Sequence, residues 1–345
     1  MRIALDSTPL GEGTGGLCRY TSELTRELAS RFPEDRVTLL SDQPVPGGRN
    51  GWWTRRWWSI GLPLELARLR TEVFHGTDFS VPYLPVCASV MTLHDLSPWR
   101  ERELRGCSQR VRERTPALLK LGLATMVITP SEAIRREALD RFRLPESCVV
   151  AVPHGASARF TWEGDPHPGF GNPYFLFVGT LEPRKNLPLL VEAWREVRRE
   201  FAVDLVLAGR RRADCPPLPD LEGLRLPGPV KEEDLPALYR GALACVYPSL
   251  YEGFGLPVLE AMQCGCAVVA SREPAIAEVA GSAALLLPPR DVRAWAAALR
   301  AATRHPAWLR SLKIRAVRQA AGFSWERTAE RTREVYLEAR KRFGG

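Results

Sequence analysis

The sequence lacks any run of about 20 uncharged apolar residues, the length a helix needs to cross a bilayer. Its opening residues, Met1 to Pro9, pass straight into a strand pattern without the architecture of a signal peptide. The expected location is therefore the cytoplasm, with contact at the inner face of the membrane left open. No CxxC pair occurs among the eight cysteines, and the five histidines form no ligand cluster. That excludes the common zinc patterns and suits reduced thiols in a cytosolic protein. Cys264-Gly265-Cys266 reads as small-residue packing at a helix end. No GxGxxG is present either: Gly11-Glu12-Gly13-Thr14-Gly15-Gly16 has the wrong spacing, so dinucleotide binding is not supported. Lysine is scarce, with five in the chain, which draws attention to each one.

What the chain has is length, apolar content and arginine. At 345 residues it exceeds the size at which a single core stops growing, so two domains of ordinary size are expected, and 45% apolar residues are enough to fill both cores. The net charge of +8 raises the question of a polyanionic partner. Seven basic residues (Arg100, Arg102, Arg105, Arg110, Arg112, Arg114, Lys120) stand against Glu101, Glu103 and Glu113, and Trp52, Trp53, Trp57 and Trp58 flank Arg55 and Arg56. Tryptophan and arginine suit a membrane headgroup region. They equally suit an arginine-rich solvated helix beside partly buried tryptophans. No helix-turn-helix, zinc-finger or single-strand-binding signature accompanies them, so a nucleic-acid partner is not expected.

Strand and helix patterns alternate along the chain. Residues 2–8 read as a strand, followed by a glycine-rich loop and a helix from about Leu17 to Arg31; strands follow at Val37 to Ser41, Val73 to His75 and Ser89 to Leu93. The fourth strand ends at His94-Asp95, a pair well placed for chemistry or equally for a satisfied structural histidine. Ser131 is a plausible cap for a helix running to Asp140. Between Thr161 and Pro173 proline, glycine and acids cluster without periodicity, which places a domain boundary there. Alternation then restarts, and a helix introduced by Phe323-Ser324-Trp325 closes the chain. The expected class is α/β, with two doubly wound, Rossmann-like domains (1–165 and 170–323) whose ligand edges face each other across a cleft, and with 324–345 packing back on the first.

Two loops carry the chemistry. In Gly179-Thr180-Leu181-Glu182-Pro183-Arg184-Lys185-Asn186, Asn186 is expected to cap the following helix, which sets Arg184 and Lys185 beside a helix N-terminus where a phosphate is favoured. In Ala244 to Ser271, Gly253 and Gly255 let main-chain N–H groups approach a ligand, and Pro257 suits a helix start. Glu252 and Glu260 lie eight residues apart, about 12 Å if all helical. A glycosidase acid/base pair needs roughly 5–9.5 Å, so two carboxylates gripping different parts of one elongated ligand is the reading preferred over catalytic partnership. A solvated loop acid plus a glutamate favouring the helix dipole is the simpler alternative.

Taken in order, GTLEPRKN, the Gly228-Pro229-Val230 turn, YPSLYEGFGLPVLEAMQCGCAVVAS with its E-x7-E pair, and FSWERTAERTREVYLEA resemble the retaining glycosyltransferases of family 4, which have the GT-B architecture. VMTLHDLSP and GGLCRYTSEL are similar to its mannosyl- and glucosyltransferase branch. The resemblance implies a nucleotide-sugar donor, GDP-mannose first and UDP-hexoses second, used as co-substrate without a cofactor, and a glycan or lipid-linked acceptor. It implies that Arg184 and Lys185 hold the donor diphosphate, Glu252 with the amides of Gly253, Phe254 and Gly255 holds the hexose, and Glu260 holds the ribose. It further places Val230 against the nucleobase, Gly179 and Leu256 on the donor, Gly15 and Gly16 near the diphosphate, and His94 beside the transferred sugar. The resemblance also implies that no metal is needed, and no DxD of the other main glycosyltransferase architecture is present. His154-Gly155 departs from the Asn-Gly common in the family. A nucleotide-sugar epimerase of the same architecture, or a nucleotide-binding module without transferase activity, are the alternatives.

Overall fold

The computed structural model describes residues 1–344 except 13–14, 42, 44–48, 51–55, 102–103 and 105–108. Trp52, Trp53, Arg55, Arg102 and Arg105 thus lie outside the described residues. The chain divides into two units: Met1–Trp99 with Gly106–Gly155 and Ser324–Gly345, and Ala156–Phe323 with Arg100–Arg105.

The first unit is a seven-stranded parallel sheet. Its strands are β1 (Arg2–Asp6), β2 (Arg36–Ser41), β3 (Arg49–Asn50), β4 (Val73–Gly76), β5 (Ala88–Thr92), β6 (Met126–Thr129) and β7 (Val149–Ala151), in the order β3-β2-β1-β4-β5-β6-β7. Strands β4, β5 and β6 are buried at every position, as expected where helices cover both faces of a parallel sheet. The helices are α1 (Gly16–Arg31), α2 (Leu62–Arg68), α3 (Gln109–Lys120), α4 (Glu132–Phe142) and, from the far end of the sequence, α11 (Trp325–Gly344). Ser131 caps α4 by accepting from Ile134 N, and Ser324 accepts from Arg327 N at 3.3 Å at the start of α11.

Helix α11 is fastened to the first unit along its length. Thr328 Oγ1 donates to Pro153 O (2.7 Å), Arg333 Nε pairs with Asp35 (2.7 Å), Arg31 pairs with Glu330, and the Tyr336 hydroxyl meets His75 Nδ1 at 2.6 Å. Gly155 makes this docking possible. A Cβ there would lie 2.2 Å from Trp325 N, so no larger residue lets α11 start so close to the chain after β7. Trp57 is buried in the core with Leu62 and Phe74, and Trp58 carries the Arg114 guanidinium over its ring at 5.1 Å. These two tryptophans therefore serve packing.

The second unit is a six-stranded parallel sheet of β8 (Tyr174–Val178), β9 (Asp204–Ala208), β10 (Leu224–Gly228), β11 (Ala244–Tyr247), β12 (Ala267–Ser271) and β13 (Leu285–Leu287), in the order β10-β9-β8-β11-β12-β13. Helices α5 (Leu187–Arg198), α6 (Leu235–Gly241), α7 (Leu256–Gln263), α8 (Pro274–Ala280), α9 (Val292–Arg304) and α10 (Pro306–Ala320) cover it. Two tryptophans anchor this core with their indole N–H groups satisfied: Trp194 Nε1 donates to Val203 O and Trp295 Nε1 to Pro288 O, each at 3.0 Å. Phe160, just ahead of the aperiodic stretch from Thr161 to Pro173, is fully buried against Tyr239. The sequence pattern suggests a helix from about Glu232 to Arg240, whereas α6 begins three residues later, at Leu235. Helices α8 and α10 have no counterpart in the sequence reading, α10 because its apolar positions are interrupted by Arg310, Lys313, Arg315 and Arg318.

In both sheets the strand order reverses direction beside the first strand of the unit, between β1 and β4 and between β8 and β11. Crossover helices leave such a sheet on opposite faces at that point, so the loops after the two strands part and open a crevice at their carboxyl ends. In the second unit these loops are 179–186 and 248–255.

Candidate functional site

Both loops of the second unit meet on one carboxylate. Lys185 Nζ is ion-paired with Glu252 Oε1 and also donates to the Tyr247 hydroxyl at 2.8 Å. Arg184 Nη1 reaches Glu252 Oε2 at 3.0 Å and Tyr251 O at 2.9 Å, and Ser249 Oγ donates to Glu252 Oε1 at 2.6 Å. The Arg184 Nε turns to Glu182 Oε1 at 2.7 Å, and Arg212 pairs with the other oxygen of Glu182. Bonds to main-chain oxygens hold the loops in this register: Leu250 N donates to Arg184 O (2.8 Å) and the Ser271 hydroxyl to Ser249 O (2.5 Å).

Asn186 occupies the helix-start position but does not cap α5. It sits in the left-handed region at φ 56° and its side-chain amide donates to Pro248 O (3.3 Å) and Pro289 O (2.6 Å) instead. Its side chain ties three loops together, while Pro188 in the first turn supplies the helix start. The cations thus stand ahead of a helix whose first N–H groups Asn186 does not consume.

Burial decides how these charges behave. Lys185 and Glu252 are 5% and 6% exposed. Burial opposes ionisation of Glu252, but the Lys185 ammonium and then the Arg184 guanidinium outweigh it and hold the carboxyl at about 2. Lys185 itself is lowered by burial and by Arg184, with Glu252 and Glu182 acting against them. The arrangement is a buried and a partly buried cation held by two buried carboxylates, which costs desolvation free energy to keep positive charge fixed at a sheet edge.

After Glu252 the chain turns through Gly253 and Phe254 to Gly255, whose φ of 99° is closed to most other residues, and enters α7 at Leu256 with Pro257 in its first turn. Glu260, 1% exposed on the second turn of α7, accepts from the Tyr239 hydroxyl at 3.3 Å. Gly179 follows β8, and Val230 follows β10. All of these belong to the second unit. Tyr247, Ser249, Glu182 and Arg212 escaped the sequence reading. Tyr247 and Ser249 lie in the same YPS segment as the Glu252 loop, a signal that could have been followed.

Glu273 is a further buried acid beside this loop. It caps α8, accepting from Ile276 N at 3.0 Å, and burial raises it to about 7, with the Glu252 charge adding to the effect. Between pH 4.5 and 7 the folded chain keeps a proton that the unfolded chain has released. Stability should therefore fall as pH rises through that window, by up to about 3 kcal/mol. Glu273→Gln keeps the cap acceptor and should remove most of this slope in urea-midpoint measurements; an unchanged slope would refute the assignment.

The first unit brings a different set together. His94 Nε2 hydrogen-bonds Thr77 O at 2.6 Å, and burial lowers its pKa to about 4, so the ring is neutral near pH 7. Its neighbours are Tyr20, at 4.8 Å between ring centroids, and His154, at 5.8 Å. His154 also stacks on Trp325 at 5.6 Å. His75 joins the Tyr336 hydroxyl to Thr92 Oγ1 (2.7 Å), and burial lowers it to about 3. Gly15 and Gly16 form the start of α1, Gly15 at φ 108° with open space where a Cβ would be. Among the described residues no group of histidines, cysteines and acids could hold a metal ion.

The residues 14–160 match the family Glycosyltransferase Family 4, and 172–305 match Glycosyl transferases group 1. An O-antigen chain mannosyltransferase B of Escherichia coli is 33% identical over 76% of this chain and 74% of its own. The chain is a family 4 glycosyltransferase. A D-inositol 3-phosphate glycosyltransferase of Kineococcus radiotolerans is 34% identical over 98% of this chain and 78% of its own. Solved structures share the fold of this glycosyltransferase. One from Rickettsia africae has a TM-score of 0.76 at 12% identity and 98% coverage of both chains; Anabaena HepE, solved with UDP and glucose, has 0.74 at 14%, covering 98% of this chain and 100% of its own. The family 4 glycosyltransferase is thus a GT-B α/β enzyme that transfers a hexose. Among the described residues it has no helix long and apolar enough to cross a membrane.

Proposed function

We propose that this glycosyltransferase moves a hexose from a nucleotide sugar, GDP-mannose in the first place and a UDP-hexose in the second, to a hydroxyl of a glycan or lipid-linked acceptor with retention at the anomeric carbon. The observation that carries the reading is the convergence of Arg184, Lys185 and Glu252 at the carboxyl ends of β8 and β11. The similarity to a mannosyltransferase supports the mannose assignment, and the HepE structure with UDP and glucose supports the UDP alternative.

Arg184 and Lys185 bind the diphosphate, and their charge matters most as the sugar C1–O bond breaks and negative charge grows on the leaving nucleoside diphosphate. Glu252 keeps both cations in place and, with the amides of Gly253, Phe254 and Gly255, meets the hexose hydroxyls. Glu260 takes the ribose hydroxyls, Val230 the base. His94, neutral, orients the sugar on the acceptor side. Glu252 is engaged by Lys185, Arg184 and Ser249 rather than free as a nucleophile, which favours attack by the acceptor on the face the diphosphate leaves, with the leaving phosphate taking the acceptor proton.

Thermal-shift titration against GDP-mannose, UDP-glucose and other nucleotide sugars identifies the donor, because a ligand that binds only the folded state raises the melting temperature. NMR of the initial product then reads the anomeric configuration, and an inverted product would overturn the retaining assignment. Glu260→Ala should weaken donor binding by about tenfold or more, the loss of a charge-assisted hydrogen bond of roughly 1.5–3 kcal/mol, with a smaller effect on turnover of bound donor. Unchanged donor affinity would remove the ribose role.

A further inference from the structure

Away from the sheet edges, the second unit has a cavity of about 540 Å³ where α7, α10 and the segment 162–166 meet. Trp162, Ile314 and Val317 supply its apolar wall, and Arg240, Lys313 and Arg318 line it as well. Trp162 and Ile314 are 62% and 57% exposed, large apolar side chains facing solvent next to fixed cations. Gly265, at the end of α7, is what lets the wall close: a Cβ there would lie 3.2 Å from Trp162 Cβ and 3.7 Å from Val317 Cγ2.

The charge around the cavity is one-sided. Arg310, Lys313, Ile314, Val317 and Arg318 follow the i, i+3, i+4, i+7, i+8 spacing and share one face of α10. From Arg304 to Phe323 the sequence holds no acidic residue. Arg240 directs its hydrogen bonds to main-chain oxygens, Thr161 O at 3.0 Å and Asp165 O at 3.0 and 3.1 Å, which fixes its position, and it pairs with no carboxylate among the described residues. Glu163 and Asp165 on the adjoining segment are exposed, and neither pairs with these three cations.

We propose that this face docks on the surface of an anionic phospholipid bilayer, with headgroup phosphates between Lys313 and Arg318 and with Trp162 and Ile314 entering the headgroup–acyl boundary. Tryptophan favours that boundary, and each lysine or arginine near an anionic membrane surface contributes separately to attraction. A nucleic acid would set its phosphates against Ile314 and Val317. A second copy docking by two-fold symmetry would set these cations against themselves. The inference rests on no assignment of donor or acceptor, so it can fail while the proposed function stands.

The test is flotation of the full chain with phosphatidylcholine vesicles, with and without phosphatidylglycerol. Wild-type protein should float with the anionic vesicles and release at high salt. The Lys313→Glu/Arg318→Glu variant should lose at least about tenfold in partitioning, since two attractive charges become repulsive. Trp162→Ser should lose several-fold, and both should transfer sugar to a water-soluble acceptor at the wild-type rate. If the charge-reversal variant melts early, Lys313→Gln/Arg318→Gln decides in its place. No flotation of the wild type, equal flotation with neutral vesicles, or wild-type flotation of the variants would each overturn the proposal. So would a concentration-dependent dimer that the same substitutions dissolve, because the occupant would then be a second copy.

Discussion

Lys185→Ala should lower turnover by at least about a hundredfold, the range seen when one donor to transition-state charge is removed, or about 2.7 kcal/mol. Lys185 is fixed by Glu252 and Tyr247 at the sheet edge, and it is desolvated, so its field on a departing diphosphate is stronger than that of a surface lysine. Its loss removes charge that the ground state uses less than the transition state does. The KM for donor should change less than kcat. Lys185→Arg is the informative companion: the guanidinium keeps the charge but does not fit the pocket bounded by Tyr247 and Glu252, so recovery should be partial. Turnover of Lys185→Ala near the wild-type value, with the protein folded, would sink the diphosphate assignment.

Glu252→Ala should be the most damaging substitution to stability at the site, at about 3–5 kcal/mol in the urea-unfolding free energy. It leaves the buried Lys185 ammonium and the partly buried Arg184 guanidinium without the carboxylate they share. The wild-type protein should show the same dependence through pH. The folded carboxyl stays ionised down to about 2, so its contribution is fully present above the ordinary carboxyl pKa of 4.5 and is lost as pH falls from there toward 2. Acid denaturation of the Glu252→Ala protein should therefore lack part of the steep loss seen in wild type over that range. An acid titration that is superimposable in the two proteins would refute the coupling. The opposite sign at Glu273, whose stabilising form is the protonated one, gives the two buried acids separable windows, below 4.5 for one and above it for the other.

Much of the site was legible because it is local. The stretch from Gly179 to Asn186 and that from Ala244 to Ser271 each carry glycine, proline and charged residues at spacings that fix a strand, a turn and a helix start. The parallel strands were legible too: β5, β11 and β12 are buried on both faces and read as unbroken runs of small and β-branched residues. Where a helix cap read from sequence fails, the side chain has a better partner than the one nearest in sequence. Asn186 is drawn to Pro248 O and Pro289 O, 62 and 103 residues away, and so leaves the cap that its position suggests.

From its sequence alone this protein was determined to be a two-unit α/β chain whose charged loops follow strands, and a resemblance in the order of those loops was enough to name the enzyme family. The tertiary structure decided what the charges do. Arg184, Lys185 and Glu252 are 67 and 68 residues apart in the chain and become one ion-paired group because β8 and β11 are neighbours where the strand order reverses. That adjacency is a property of sheet topology, which local periodicity does not encode. The Lys185 and Arg184 cations then hold the carboxyl of Glu252 near 2 against its burial, while burial raises that of Glu273 to about 7. Two glutamates with the same intrinsic chemistry differ because one is buried against two cations, and the other is raised by its burial with the Glu252 charge adding to it.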